Sequence, residues 1–189
     1  MRRTTILVAC SLALALCAGF AVAQEPADTL KVTYFSNANT DGAPDATVRL
    51  TNPGTAGGSL CAAIYVFDSY QEMSECCSCY LSPDGLRTLS VNSDLTANPL
   101  ISVSLTTGVI KVVSTPTKGG SCPLPISLTP TAGIRGWGTH IQNSNYAITE
   151  TALQDATLSA AEVKRLQGEC YAIDLDGSGH GICSCGTGD

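Results

Sequence analysis

Apolar and polar residues alternate with the two-residue period of a half-buried strand in the early part of the chain. Leu30, Val32 and Tyr34 are set against Lys31 and Thr33, and Val48 and Leu50 against Thr47, Arg49 and Thr51. Residues 60–67, Leu-Cys-Ala-Ala-Ile-Tyr-Val-Phe, are apolar on both faces. They are too few, and too rich in β-branched and aromatic side chains, for a buried helix, which places them in the middle of a sheet. Further strands are expected at residues 86–91, 100–105, 109–113 and 146–151, separated by turn signals at Asn52-Pro53-Gly54, Ser82-Pro83-Asp84-Gly85 and Asn98-Pro99. Residues 114–138, with Pro116, Pro123, Pro125 and Pro130, read as a long irregular loop tethered through Cys122. Short strands at this spacing predict a mainly β fold, a β-sandwich of immunoglobulin-like or jelly-roll type.

One segment breaks the pattern. Ser159-Ala160-Ala161-Glu162 has the form of a capping box, and Leu158 and Val163 flank it as a hydrophobic staple. Val163, Leu166, Cys170 and Ile173 then recur on one face at helical spacing, which predicts a C-terminal helix over about residues 160–173. The glycine-rich tail from Gly177 has almost no apolar residue except Ile182, so it needs its cysteines to hold it down.

The first residues carry a different message. Arg2 and Arg3, an apolar run from Ile6 to Phe20 and the small-x-small ending Ala21-Val22-Ala23 are expected to form a signal peptide over residues 1–23. A single domain then spans 24–189, exported, with no membrane span left after cleavage. Losing Arg2 and Arg3 leaves 8 basic residues against 16 acidic ones. A chain of net charge −8 without a basic cluster repels phosphate backbones and anionic headgroups, so nucleic acid is not an expected partner.

Export also decides how the cysteines are read. Eight remain in the mature chain: Cys61, Cys76, Cys77, Cys79, Cys122, Cys170, Cys183 and Cys185. An even number in an oxidising compartment predicts four disulfides rather than a metal site, with connectivity left open among about 105 pairings. The inward face of the helix and the flexible glycines after it lead us to expect Cys170 to join Cys183 or Cys185, clasping the tail to the helix.

Candidate chemistry is sparse. Trp137, the only tryptophan, lies near His140, and the pair is a candidate ligand site. Asp174, Asp176 and Ser178 match the opening half of a calcium-binding EF-hand loop, with Gly179 at the sixth position. The match fails at the twelfth, where Cys185 replaces the bidentate Glu, so no metal and no cofactor are expected. No hydrolase, zinc-protease, phosphate-loop or dinucleotide signature is present.

Ile64-Tyr65-Val66-Phe67-Asp68, the block Glu75-Cys76-Cys77-Ser78-Cys79, Ser82-Pro83-Asp84-Gly85-Leu86 and the ending from Gly177 to Cys183 resemble a group of uncharacterised exported, cysteine-rich proteins of acidobacteria. The resemblance implies export and a bacterial origin and assigns no activity. Four candidate disulfides, few potential catalytic groups and many Thr, Ser, Gly and Asn residues lead us to expect a secreted, periplasmic or extracellular, non-enzymatic protein with a structural or adhesive role, its partners being further copies of itself or envelope and matrix components. A carbohydrate- or peptide-binding module and a small secreted hydrolase are the alternatives.

Overall fold

A computed structural model describes residues 28–186; the expected signal peptide lies outside them. In chain order the elements are β1 (Leu30–Phe35), β2 (Thr47–Thr51), β3 (Leu60–Asp68), β4 (Met73–Leu81), β5 (Leu86–Ser90), β6 (Gly108–Pro116), β7 (Arg135–Gln142), β8 (Ala147–Ala152), β9 (Gln154–Ala156) and the helix α1 (Ala160–Asp176). The strands form two antiparallel sheets, one in the order β4-β3-β6-β1-β9 and the other β5-β2-β7-β8. The mainly β sandwich with one C-terminal helix and a disulfide-rich tail is thus the architecture that the hydrophobic pattern predicts.

The doubly apolar run 60–67 sits where both of its faces are dry. β3 lies between β4 and β6, with Ala62, Ile64 and Val66 facing the second sheet, where Val48, Leu50 and Leu89 close the inner core. Ala63, Tyr65 and Phe67 face the other way and are covered by Leu158, Leu166 and Ile173 of the helical segment. The molecule is therefore layered as sheet, sheet and helix, and the first sheet is buried on both sides. Part of residues 117–134 completes the outer layer. Tyr65 donates its hydroxyl to the Pro125 carbonyl at 3.0 Å, and Cys61 bonds to Cys122.

The helix starts and stops as its residues dictate. Ser159 caps it by accepting the Glu162 N–H at 3.1 Å, Leu158 is buried before the cap, and Gly177 ends it in the left-handed conformation at φ 63°. The reciprocal half of the capping box is not made. Glu162 instead takes Lys111 Nζ at 2.6 Å and Arg165 at 3.1 Å, tying the helix to β6; these partners hold its carboxyl below the usual range.

Four expectations are corrected. Residues 100–105 are irregular rather than a strand. The segment read as one loop, 114–138, contains the end of β6 and the start of β7. The cysteine block, outside every strand expected from the sequence, forms a whole strand, β4. And Cys170 bonds to Cys76 in β4, not to Cys183 or Cys185, which bond to Cys77 and Cys79. The physical reason is the strand period. Consecutive residues of β4 point to opposite faces, so Cys76 reaches outward to the helix while Cys77 and Cys79 lie on the inner side.

The tail uses those two bonds to seal a sheet edge. Cys76 N–H donates to the Gly181 carbonyl at 2.8 Å and Cys183 N–H to the Cys76 carbonyl at 3.3 Å, in a parallel bridge of Cys76 with Ile182. An unpaired β4 would expose a row of backbone donors and acceptors to other chains. On the opposite side the chain passes from β8 into β9 through Leu153, which is buried and donates its N–H to the Gly136 carbonyl at 2.9 Å. Residues 147–156 thereby begin in one sheet and end in the other, closing that flank of the sandwich.

Candidate functional site

The two sheets differ in what covers their outer faces. The helix covers the first; among the described residues nothing covers the outer face of the second at β5, β2 and β7. The register places Arg49 of β2 and Ala152 of β8 on either side of Trp137. Alternation puts Arg135 and Thr139 on the same face, and the contacts agree: Thr139 Oγ1 lies 2.9 Å from Thr47 Oγ1, and Arg49 donates to Glu150 at 2.7 Å. Trp137 is 39% exposed at the middle of this face, with Thr51 on β2 and Leu86 and Thr88 on β5 extending it.

The face is flat in chemistry as well as in position. Both of its arginines have a carboxylate partner, Arg49 with Glu150 and Arg135 with Asp28, so they leave little net charge. Partial burial, the largest single effect, pushes the Asp28 carboxyl up, but the hydrogen bonds and charges of Arg135 and Lys31 together outweigh it and leave its pKa below the ordinary value. What remains exposed is an indole ring among threonine hydroxyls and paired polar heads. Such a surface offers an apolar plane for stacking and a periphery of donors and acceptors.

His140 does not share this face. Three residues along β7 from Trp137, it points between the sheets, is buried, and stacks on the Tyr34 ring at 4.2 Å between centroids. Its Nδ1 lies 3.1 Å from the Tyr34 carbonyl and its Nε2 2.8 Å from Thr151 Oγ1, so both ring nitrogens are engaged in joining β7 to β1 and β8. The structure therefore separates the two residues that the sequence pairs as a ligand site. Arg49, Thr47, Thr139 and Glu150, the neighbours it gives Trp137, are not singled out by sequence. Thr47, Arg49 and Thr51 are visible there only as the polar side of a strand, and reading β7 as loop conceals what lies beside them.

The remaining candidates are placed as follows. Asp174 and Asp176 fall within the last turn of α1, two residues and about 200° apart around the axis, and so do not converge with Ser178 as a calcium loop requires. The sulfurs of Cys77, Cys79 and Cys185 lie within 4.8 Å of one another, and all three belong to disulfides. His180 stands on the tail with Nδ1 2.9 Å from Asn98 Oδ1. Asn98 is the hub of that corner. Its side chain donates to the carbonyls of Gly179 and Ile182, and its backbone N–H donates to Oε1 of the fully buried Glu75 at 3.0 Å. Glu75 Oε2 has no hydrogen-bond partner among the described residues, and burial pushes the pKa of the carboxyl up to about 8.

Fold and site together define a disulfide-stapled, two-sheet β protein with one open, aromatic-centred sheet face. No helix among the described residues is long and apolar enough to cross a membrane. No family model, curated protein or solved structure matches the chain.

Proposed function

We propose that this protein is exported and non-enzymatic, and that it acts as an adhesive component of the envelope or its surroundings by binding uncharged polysaccharide through the open face of its second sheet. The observation that carries the reading is the position of Trp137, half exposed at the centre of a face whose charges are paired and whose other groups are largely hydroxyls. A sugar ring stacks its C–H face on an indole and hydrogen-bonds its hydroxyls around it. An acidic chain that neutralises one face suits a ligand without charge. Four disulfides suit service outside the cell, where no chaperone repairs a lost fold.

Because Trp137 is the only tryptophan, its emission reports the site directly. Titration with neutral hexasaccharides of glucose, mannose and xylose is expected to give a saturable change for at least one of them. Trp137→Phe should keep binding, followed by calorimetry, and Trp137→Ala should weaken it about tenfold or more, the scale of losing an aromatic anchor. Emission unmoved by any neutral glycan, with the oxidised protein forming polymers in light scattering, would replace this reading by self-association.

A further inference from the structure

We propose that a second site, a groove between Asp68–Met73 and Leu100–Thr107 at one end of the sandwich, binds small organic cations that carry an apolar body. The groove encloses about 620 Å³. That is the size of a small-molecule site rather than of a packing defect, since ligand sites run from about 300 to 1,000 Å³. Met73 and Leu105 form its buried base, and Tyr70, Ile101 and Val103 stand around it 83%, 60% and 61% exposed. Apolar side chains gathered at one concave place, rather than scattered, mark a surface that something covers.

The charge of the lining selects the occupant. Its two ionisable carboxylates, Asp68 and Glu72, are accompanied by no Lys, Arg or His. Asp68 is fixed by its own turn: Oδ1 accepts the N–H of Tyr70 at 2.8 Å and of Glu72 at 2.9 Å, and Oδ2 has no partner among the described residues. A positioned carboxylate beside an exposed phenol ring is the arrangement that receives an ammonium group, with charge on one side and the ring face on the other. The apolar base takes the body of the ligand. An anion of the same shape would meet two like charges.

The proposal shares no residue with the Trp137 face and stands or falls apart from it. The test uses 4-phenylbutylamine, 4-phenylbutanol and 4-phenylbutyrate, which have one apolar body and differ in charge, followed by amide NMR of the oxidised protein. Shifts are expected at Tyr70, Met73, Ile101 and Val103, with the amine binding about tenfold more tightly than the carboxylate, the scale of two partly exposed charge contacts. Asp68→Asn keeps the turn acceptor; combined with Glu72→Gln it should bring the three affinities together while leaving the alcohol unchanged. Should the double variant lose its dispersed spectrum, Glu72→Gln alone is expected to narrow the order. Equal affinities for the three compounds in the wild type, or shifts away from the groove, would overturn the assignment.

Discussion

Replacing both Cys76 and Cys170 by Ser is expected to cost about 5 kcal/mol of stability in the chain-entropy account and to lower the urea midpoint of a single unfolding transition, as follows from closing a loop of 94 residues. Both positions are changed so that no lone thiol is left in a fully buried place. Leu158, Leu166 and Ile173 still press on Tyr65 and Phe67, so the native fold survives and the loss appears as reduced stability. The companion variant, Cys61→Ser with Cys122→Ser, opens a loop of 61 residues. Loop length alone separates the two variants by only about 0.4 kcal/mol. Any larger difference therefore reports what each bond anchors: the helix in one case, an irregular segment in the other. The helix variant should bind hydrophobic dyes and be cut by protease within residues 160–176 before the rest of the chain. An unchanged midpoint, or a peptide map of the wild type linking Cys170 to the tail, would contradict the layered arrangement.

The second large effect is on pH dependence. Glu75 is buried against Asn98, and its folded-state pKa stands at about 8 against an ordinary value of 4.5. Its protonated form is the one the fold tolerates. The stability tied to this group is thus fully present below about pH 4.5, falls as pH rises through the window to about 8, and levels off above it. The total is on the order of 5 kcal/mol. Urea unfolding of the wild type between pH 5 and 9 should show that fall, whereas Glu75→Gln, which keeps an acceptor for the Asn98 N–H, should flatten it and be the more stable protein at pH 8. Parallel curves for the two proteins would mean that Glu75 is ionised in the native state.

How far the fold can be read in the sequence follows from which residues carry a local signal. β3 and the helix announce themselves, the first by eight consecutive apolar residues and the second by Ser159, Leu158 and the stripe from Val163 to Ile173. β7 does not. Arg-Gly-Trp-Gly-Thr-His has glycines on its inner face because Leu50 and Thr33 leave no room there: a Cβ on Gly136 would come within 2.8 Å of one, and a Cβ on Gly138 within 2.7 Å of the other. A strand whose buried side is glycine has no hydrophobic alternation to detect.

β4 fails for a related reason, since between Met73 and Leu81 its buried positions are a serine, a glutamate and cysteines. Yet the disulfide pairing is implicit in it. Once Met73–Leu81 is a strand, Cys76 and Cys77 must face opposite layers, and the spacing Cys77-x-Cys79 matches Cys183-x-Cys185 in a parallel neighbour. The candidate site was half readable: Trp137 was visible as the single tryptophan, whereas its separation from His140 depends on a strand that only tertiary contacts define.

The open face of the second sheet is tested most directly by co-sedimentation of the oxidised protein with washed, insoluble neutral polysaccharide, comparing wild type, Trp137→Ala and Tyr80→Ala. Tyr80 is 41% exposed on the other sheet and serves as a control aromatic away from the proposed face. Wild type and Tyr80→Ala should sediment with the polymer to the same extent, and Trp137→Ala should remain in the supernatant with an unchanged melting temperature. Equal sedimentation of all three proteins, or of none, would contradict an adhesive role for the Trp137 face.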